Sequence, residues 1–190
     1  MVEQNGNEGG AEMLLETRAS ATGTATFSPE KPEPLYRYRL TRRWSADRPV
    51  FEPVLCWVML NPSSASHDVN DATIRKVTSF SKREGYGGLI VVNLFAYRST
   101  DPDKLIHAED PIGAFNEAMV LDAMKVSQKI VVAWGAMSKG LRAKSWMMRH
   151  KIRTAGWRLW ALGTTKDGSP RHPLYIPGNQ PLVEWKSEAA

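Results

Sequence analysis

Four short apolar runs recur along the chain, and segments with helical periodicity separate them. The runs lie at residues 53–60, 89–92, 129–135 and 157–163. Apolar runs of this length are typical of strands that are covered on both faces. Strands that alternate with helices form βαβ units and a mainly parallel sheet. The sequence therefore predicts an α/β fold, with three α/β/α layers around a central, mainly parallel four-stranded sheet.

Three helices are predicted in the segments between these runs. Asn70 or Asp71 can cap the first, which ends before Gly85 and has apolar side chains every third or fourth position. The others are predicted at residues 110–127 and 137–154. Ahead of the first run, a stretch that alternates apolar with basic residues is typical of a half-exposed strand. Its arginines are expected to add to the basic surface: Arg37, Arg39, Arg42 and Arg43.

The first 34 residues differ in composition from the rest of the chain. They are rich in Gly, Ala, Ser, Thr, Glu and Pro, so they cannot bury enough apolar surface to offset the entropy of ordering. We predict a disordered acidic tail at residues 1–34 and a single domain at 35–190. Six glutamates against Arg18 and Lys31 give the tail a net charge of −4, and since the whole chain carries +5, the domain carries +9. A basic domain favours a polyanionic partner, either DNA or a nucleotide. A solvated basic surface is the alternative.

The sequence argues against several other classes of protein. No stretch approaches the roughly 20 apolar residues that cross a bilayer, and the N-terminal residues lack a signal or transit pattern, so we expect a soluble, cytoplasmic protein without a membrane partner. The single Cys56 lies in an apolar run, where we expect a buried small side chain. The four histidines are scattered, and neither a phosphate-binding loop nor a dinucleotide motif occurs. We predict no metal and no cofactor.

The residues after each apolar run are the strongest candidates for a site, since ligands bind at the carboxyl ends of the strands in open parallel sheets. Amides, hydroxyls, aromatic rings and cations would meet there in one crevice. In the order of the four runs, these residues are Asn61, Pro62 and Ser63; Asn93, Phe95 and Tyr97; Trp134 and Gly135; and Lys166, Arg171 and His172.

Each polar residue of this set has a structural alternative. An amide at Asn61 or Asn93 can hold a water or read the edge of a base, but Asn-Pro is also a common turn whose amide bonds to backbone. His172, biased to an extended conformation by the following proline, can donate to a developing anion, whereas a lone histidine is often structural. Lys166 and Arg171 are either phosphate contacts or ordinary loop residues, and we favour contacts.

In their order along the chain, these strand ends resemble the uracil-DNA glycosylase superfamily. "MLNPS" corresponds to its Gly-x-Asp-Pro or Gly-x-Asn-Pro motif, "GLIVVNLFAYR" to the strand whose Asn reads the pyrimidine, "IVVAWGAMSKG" to its Trp-Gly strand and "RHPLYIP" to its His-Pro-Ser motif. The resemblance spans about residues 54–177. It implies that Asn61 positions a hydrolytic water, that Asn93 reads the base and that His172 stabilises the leaving base.

The chain departs from the superfamily at Met59, Ser63 and Leu174, where the motifs have Gly, Tyr or Gly, and Ser. More closely, "LNPSSA", "VVNLFAYR", "VVAWG" and "HPLYIP" together resemble a bacterial and phage family known only as a domain of unknown function. That resemblance implies no activity.

The leading hypothesis is a glycosylase-like enzyme that acts on a nucleobase in DNA or a nucleotide, by water attack at the anomeric carbon. The alternatives are a non-catalytic nucleic-acid-binding protein of the same fold and a small-molecule enzyme unrelated to DNA. Under the leading hypothesis the catalytic residues are Asn61 and His172, the substrate-binding residues are Pro62, Ser63, Asn93, Phe95 and Tyr97, and the phosphate-binding residues are Lys166 and Arg171.

Overall fold

The computed structural model describes residues 15–28, 34–44 and 53–186. Within these ranges eight strands form one sheet: β1 (Glu16–Ser20), β2 (Gly23–Phe27), β3 (Arg37–Arg43), β4 (Val54–Met59), β5 (Gly88–Asn93), β6 (Lys129–Val132), β7 (Leu159–Ala161) and β8 (Val183–Glu184). Five α-helices accompany them: α1 (Ala72–Arg83), α2 (Lys104–His107), α3 (Asn116–Lys125), α4 (Lys139–Lys144) and α5 (Trp146–Thr154). A short 3₁₀ helix, Pro173–Tyr175, follows β7.

The sheet is mixed, and its strands lie in the order β1-β2-β3-β5-β4-β6-β7-β8. Neighbours among β5, β4, β6 and β7 are parallel, and these strands are the four apolar runs. The predicted α/β class is therefore confirmed. The predicted four-stranded sheet is wrong, because antiparallel strands extend the sheet on both sides. One of them, β8, has only two residues and leaves no pattern in the sequence.

The β1-β2 hairpin lies in the segment that we predicted to be disordered, so that prediction is wrong for residues 15–28. The rest of the predicted tail, apart from Pro34, lies outside the described residues. Phe27 is buried, and β2 pairs with β3, where Thr24 Oγ1 lies 2.8 Å from Thr41 Oγ1. β-Branched threonines suit a pleated sheet. Strand pairing thus orders a segment that has few large apolar side chains.

The sheet separates two cores. Along β4, Cys56 and Val58 face one core, while Leu55 and Trp57 face the other. Helices α2 to α5 contribute to the first core, on what we call the α3 face, and α1 contributes to the second, on the α1 face. Cys56 is fully buried, and burial raises the pKa of its thiol to about 12. The expected buried, small side chain is confirmed.

The helices follow the predicted pattern in part, and α2 was not predicted. Asp71 caps α1 as expected, because its Oδ1 accepts a hydrogen bond of 2.7 Å from Ile74 N. The helix predicted at 137–154 is divided at Ser145 into α4 and α5, and the preceding helix begins only at Asn116. In the described ranges, no helix is both long enough and apolar enough to cross a membrane.

Candidate functional site

A small cavity lies at the carboxyl ends of β4 and β5, on the α1 face of the sheet. Its volume is about 120 Å³, and we call it the inner cavity. Met59, Val91 and Ile74 form apolar parts of its wall. Met59 is paired with Asn93 in parallel register, so the residues after the two strands emerge side by side. The inner cavity brings together four of the predicted site residues: Asn61, Ser63, Asn93 and His172.

An outer groove adjoins the inner cavity. The groove has a volume of about 340 Å³ and shares Ser63, Ser99 and Thr100 with the inner cavity. Arg98 also lines the groove, where its Nη1 donates to Pro34 O at 3.0 Å. A water molecule occupies about 30 Å³ of liquid, and pockets for drug-sized ligands span roughly 300–1,000 Å³. The inner cavity is therefore sized for one small group such as a single ring.

Hydrogen bonds to backbone fix the orientation of the Asn61 amide. Its Nδ2 donates to Pro62 O at 3.0 Å and to Ser99 O at 2.8 Å. Because both partners are acceptors, the amide nitrogen must point toward them. Both amide protons are used, as in the turn that we considered as the alternative. The oxygen Oδ1 is left as the acceptor that a ligand or water can use.

The Asn93 amide is buried without a hydrogen-bond partner for its nitrogen. The residue is 1% exposed, and no group of the described protein accepts from Nδ2. The Asn93 backbone oxygen accepts from Asn116 Nδ2 at 3.0 Å, which fixes the strand end. An unsatisfied buried donor costs about 1–3 kcal/mol, so each such group calls for an explanation. A ligand with an acceptor atom would satisfy this donor.

His172 enters the inner cavity as a neutral imidazole. Its Nδ1 accepts a hydrogen bond of 3.4 Å from Leu174 N, which assigns the ring proton to Nε2. Burial lowers the pKa of His172, and the negative charge of Asp71 opposes that effect without cancelling it. At neutral pH the ring is therefore a hydrogen-bond donor through Nε2 and carries no charge.

Gly135 allows the loop that carries His172 to approach the end of β6. Its φ is +78°, and a Cβ atom on Gly135 would lie 3.2 Å from the Cβ of His172. Gly135 N also donates to Pro170 O at 2.8 Å. Any other residue would be strained in this conformation. Gly135 thus helps to position His172, and neither Trp134 nor Gly135 lines the inner cavity.

Arg37 lines the inner cavity, although the sequence predicted a solvent-facing side chain. Arg37 is 2% exposed, its Nη1 donates to Ala65 O at 2.7 Å, and its buried Nε has no partner. Burial lowers its pKa to about 10, while Asp71 raises it. Arg37 therefore remains a cation at neutral pH.

A β-bulge in β3 explains this placement. Thr26 pairs with Arg39, but the next residue, Phe27, pairs with Arg37, so Tyr38 is the extra residue. Tyr38 and Arg39 both face α3, where Arg39 Nη1 lies 3.3 Å from an Asp122 oxygen. Strict alternation would put Arg37 on that same face. The bulge turns the Arg37 side chain to the α1 face. The alternation of apolar and basic residues in the sequence does not indicate the bulge.

Asp71 supplies a carboxylate to the same wall. The sequence singled it out only as a helix cap, and it has that role, but it also lines the inner cavity. Of the residues that the structure describes, one cation, Arg37, one carboxylate, Asp71, and the neutral His172 line the cavity. Among the described residues, no group of three or more His, Cys, Asp or Glu side chains could hold a metal ion.

A family model described as a protein of unknown function (DUF1643) matches residues 37–174. The chain belongs to this family. The match agrees with the resemblance to a family of unknown function and runs from β3 to the 3₁₀ helix, so it includes Arg37, Asn61, Asn93 and His172. No curated protein and no solved structure matches the chain.

Within the span of the family match, three predicted substrate-binding residues lie outside the inner cavity. Phe95 is fully buried in the core of the α3 face and does not line the inner cavity. Tyr97 packs edge-on against Tyr36, with 6.0 Å between ring centroids. Pro62 is buried, and its backbone oxygen accepts from Ser99 N.

Lys166 and Arg171 are exposed and line neither the inner cavity nor the outer groove. Around them, the loop after β7 is held by its own hydrogen bonds. Asp167 accepts from Thr165 Oγ1 and Ser169 Oγ and forms an ion pair with Arg142 of α4. The structure does not bring the two cations to the site, and their contact with phosphate stays a prediction.

Proposed function

We propose that this protein is a glycosylase-like enzyme that hydrolyses the N-glycosidic bond of a nucleobase in DNA or a nucleotide. One observation carries the proposal: Asn61, Asn93 and His172 come from three separate segments and line one ring-sized polar cavity. Four parallel strands with helices on both faces suit the glycosylase-like three-layer fold that is part of the proposal.

In this proposal Asn93 reads the base. Its unpaired Nδ2 donates to a carbonyl oxygen on the ring, which removes the cost of leaving that donor buried. Pyrimidines present such an acceptor on the edge that an amide can read. The apolar side chains of Met59 and Ile74 then cover parts of the ring.

Asn61 and His172 serve the bond-breaking step. Asn61 Oδ1 accepts a hydrogen bond from a water, whose oxygen attacks the anomeric carbon. The bond from that carbon to the ring nitrogen breaks, and its electron pair leaves with the base. His172 donates from Nε2 to the base as negative charge develops there. The attacking water loses a proton, which the solvent or the departed base takes up, and the products are the free base and a sugar that carries the hydroxyl group of the water.

The outer groove would hold the sugar and its phosphate. It continues from the inner cavity, it is lined by Ser63, Ser64 and Ser99, and Arg98 lies along it. Arginine and hydroxyl groups are common phosphate ligands. In this arrangement the phosphate lies on the β5 side of the site, away from Lys166 and Arg171.

The test is base excision from defined substrates. The protein is incubated with oligonucleotides that carry uracil, mispaired thymine or hydroxymethylated pyrimidines, and alkali then cleaves the strand wherever a base has been removed. Free nucleotides are assayed in parallel for release of the base by chromatography. We expect release from at least one substrate and its loss in Asn61→Ala and His172→Ala. No release from any substrate contradicts the proposal.

One observation favours a second function, a nucleic-acid-binding protein that does not hydrolyse. The side chain of Met59 lines the inner cavity at the position where the glycosylase motif has a glycine that allows close approach of the backbone. In that case DNA binds without loss of a base, and Asn61→Ala and His172→Ala leave DNA affinity unchanged. A basic domain binds DNA most tightly at low salt. If DNA does not bind even there, an enzyme that acts on a small molecule unrelated to DNA becomes the preferred function over both the glycosylase and the nucleic-acid-binding protein.

A further inference from the structure

We infer that Arg37 is a substrate-binding residue that carries the positive charge of the site, and that the inner cavity prefers a nucleobase in its anionic form. The inference rests on the proposed function for the identity of the ligand. It deepens that proposal, because it says which charge state of the base the site recognises. Neither the sequence pattern nor the resemblance to glycosylases assigns Arg37 a role.

The placement of Arg37 is the first argument. A long cationic side chain is 2% exposed in the wall of a cavity, and the bulge at Tyr38 directs it there. Buried arginines are uncommon unless a partner compensates for the lost hydration. Arg39, two residues along the same strand, also has a buried Nε without a partner, but its Nη1 meets the carboxylate of Asp122 near the surface, whereas the Nη1 of Arg37 meets only a backbone carbonyl.

The hydrogen bonding of Arg37 is the second argument. Its Nη1 donates to a backbone carbonyl, Ala65 O, and its buried Nε has no partner. A buried cation is stabilised best by an anion in hydrogen-bond contact. Asp71 acts on Arg37 through its charge, but its Oδ1 accepts from Ile74 N as the cap of α1. An anionic ligand in the cavity would complete the partners of Arg37.

The division of charge in the cavity is the third argument. His172 is neutral at neutral pH, so it offers a hydrogen bond without a positive charge. Arg37 is then the cation of the inner cavity. When the bond to the anomeric carbon breaks, the electron pair passes to the base, and the ring leaves as an anion. A fixed positive charge in a site screened from water stabilises such an anion strongly.

Binding of two uracils separates this inference from a structural role of Arg37. 5-Nitrouracil is an anion at neutral pH, whereas uracil is neutral and has the same ring. Calorimetric titration of the full-length protein should show at least about tenfold tighter binding of 5-nitrouracil, as expected for one added charged hydrogen bond. Arg37→Met should remove the preference, and Arg37→Lys should retain part of it. Arg39→Met is the matched control on the other face of β3 and should retain all of it.

Several results would overturn the inference. They are equal binding of both uracils by the unaltered protein, binding of neither, or an unchanged preference in Arg37→Met. Thermal unfolding checks that each variant folds, and if Arg37→Met does not fold, a reduced preference in Arg37→Lys is the result that still assigns the preference to Arg37. A clear preference for the anion without any base release leaves the inference standing and overturns the proposed glycosylase. Base release at an unchanged rate in Arg37→Met overturns the inference about Arg37 and leaves the proposed glycosylase standing.

Discussion

The carboxyl edge of the parallel strands has two halves that differ in chemistry. At the ends of β4 and β5, polar side chains surround a cavity, and Asn93 keeps an amide donor without a partner. At the ends of β6 and β7, the side chains are satisfied by one another. Trp134 is buried with its ring 5.3 Å from that of Trp185, and the carboxylate of Asp167 is bonded to its own loop and to Arg142 of α4.

This contrast favours the β4 and β5 half as the candidate site, because polar groups there are left without protein partners. Both halves follow the same rule of α/β topology, and both contain residues that sequence reasoning marked as functional. The β6 and β7 half positions His172 by backbone and packing, through Gly135. The β4 and β5 half supplies the groups that are free for a ligand.

The largest expected effect comes from the two proposed catalytic residues. Asn61→Ala and His172→Ala should each lower the rate of base release by a factor of roughly 10² to 10⁴, the usual contribution of a positioned acid or base group. Glu184→Ala, in the exposed strand β8 beside β7, is the control from the other half and should leave the rate unchanged. Single-turnover excision assays measure the difference. An equal decrease in the rate of base release in all three variants would contradict the functional difference between the two halves.

Gly135→Ala tests how the second half supports the first. A left-handed conformation costs a non-glycine residue about 1–2 kcal/mol, and the new Cβ would also press on His172. Gly156 has a φ of +85°, but a Cβ atom at that position would meet nothing within 4 Å, so Gly156→Ala carries the same strain without the contact. We expect both variants to be less stable in denaturant unfolding, and only Gly135→Ala to lose activity.

The pH dependence of activity gives a smaller effect. The pKa of His172 is lowered from its ordinary value of 6.5, mainly by burial and against the charge of Asp71. Stability from the neutral ring is therefore fully present above pH 6.5 and is lost as pH falls through the lowered pKa. Activity should stay level from pH 7 to 8 and decline only below pH 6.5. His172→Gln should remove this decline, and a decline that begins above pH 7 would contradict the assignment.

The sequence predicts the framework of the fold well because burial leaves a strong pattern. The four parallel strands are apolar on both faces, and Asp71 marks the start of α1. The β1-β2 hairpin left no such pattern, since its threonines gain order from pairing with β3 rather than from a large apolar surface. The prediction from sequence therefore gave too few strands for the sheet, four instead of eight.

The site was predictable in part, for reasons that depend on backbone geometry. Asn61, Asn93 and His172 follow from the rule of strand ends. Arg37 does not, because a bulge reverses the face of the sheet to which its side chain points. The placement of Phe95 away from the cavity has a related cause. Strand β5 ends at Asn93, so the alternation that would keep the side chains of Asn93 and Phe95 on one face of the sheet stops there.

In the proposed function, the Asn93 amide is kept unpaired for a base. Asn93→Leu tests it directly, with uracil binding followed by calorimetry and stability by thermal unfolding. Because the leucine removes an unsatisfied buried donor, we expect the melting temperature to stay level or rise while uracil binding is lost. Asn116→Leu, which removes the hydrogen bonds to Asn93 O and Leu94 O, should instead lower stability. Unchanged uracil binding in Asn93→Leu would contradict the account.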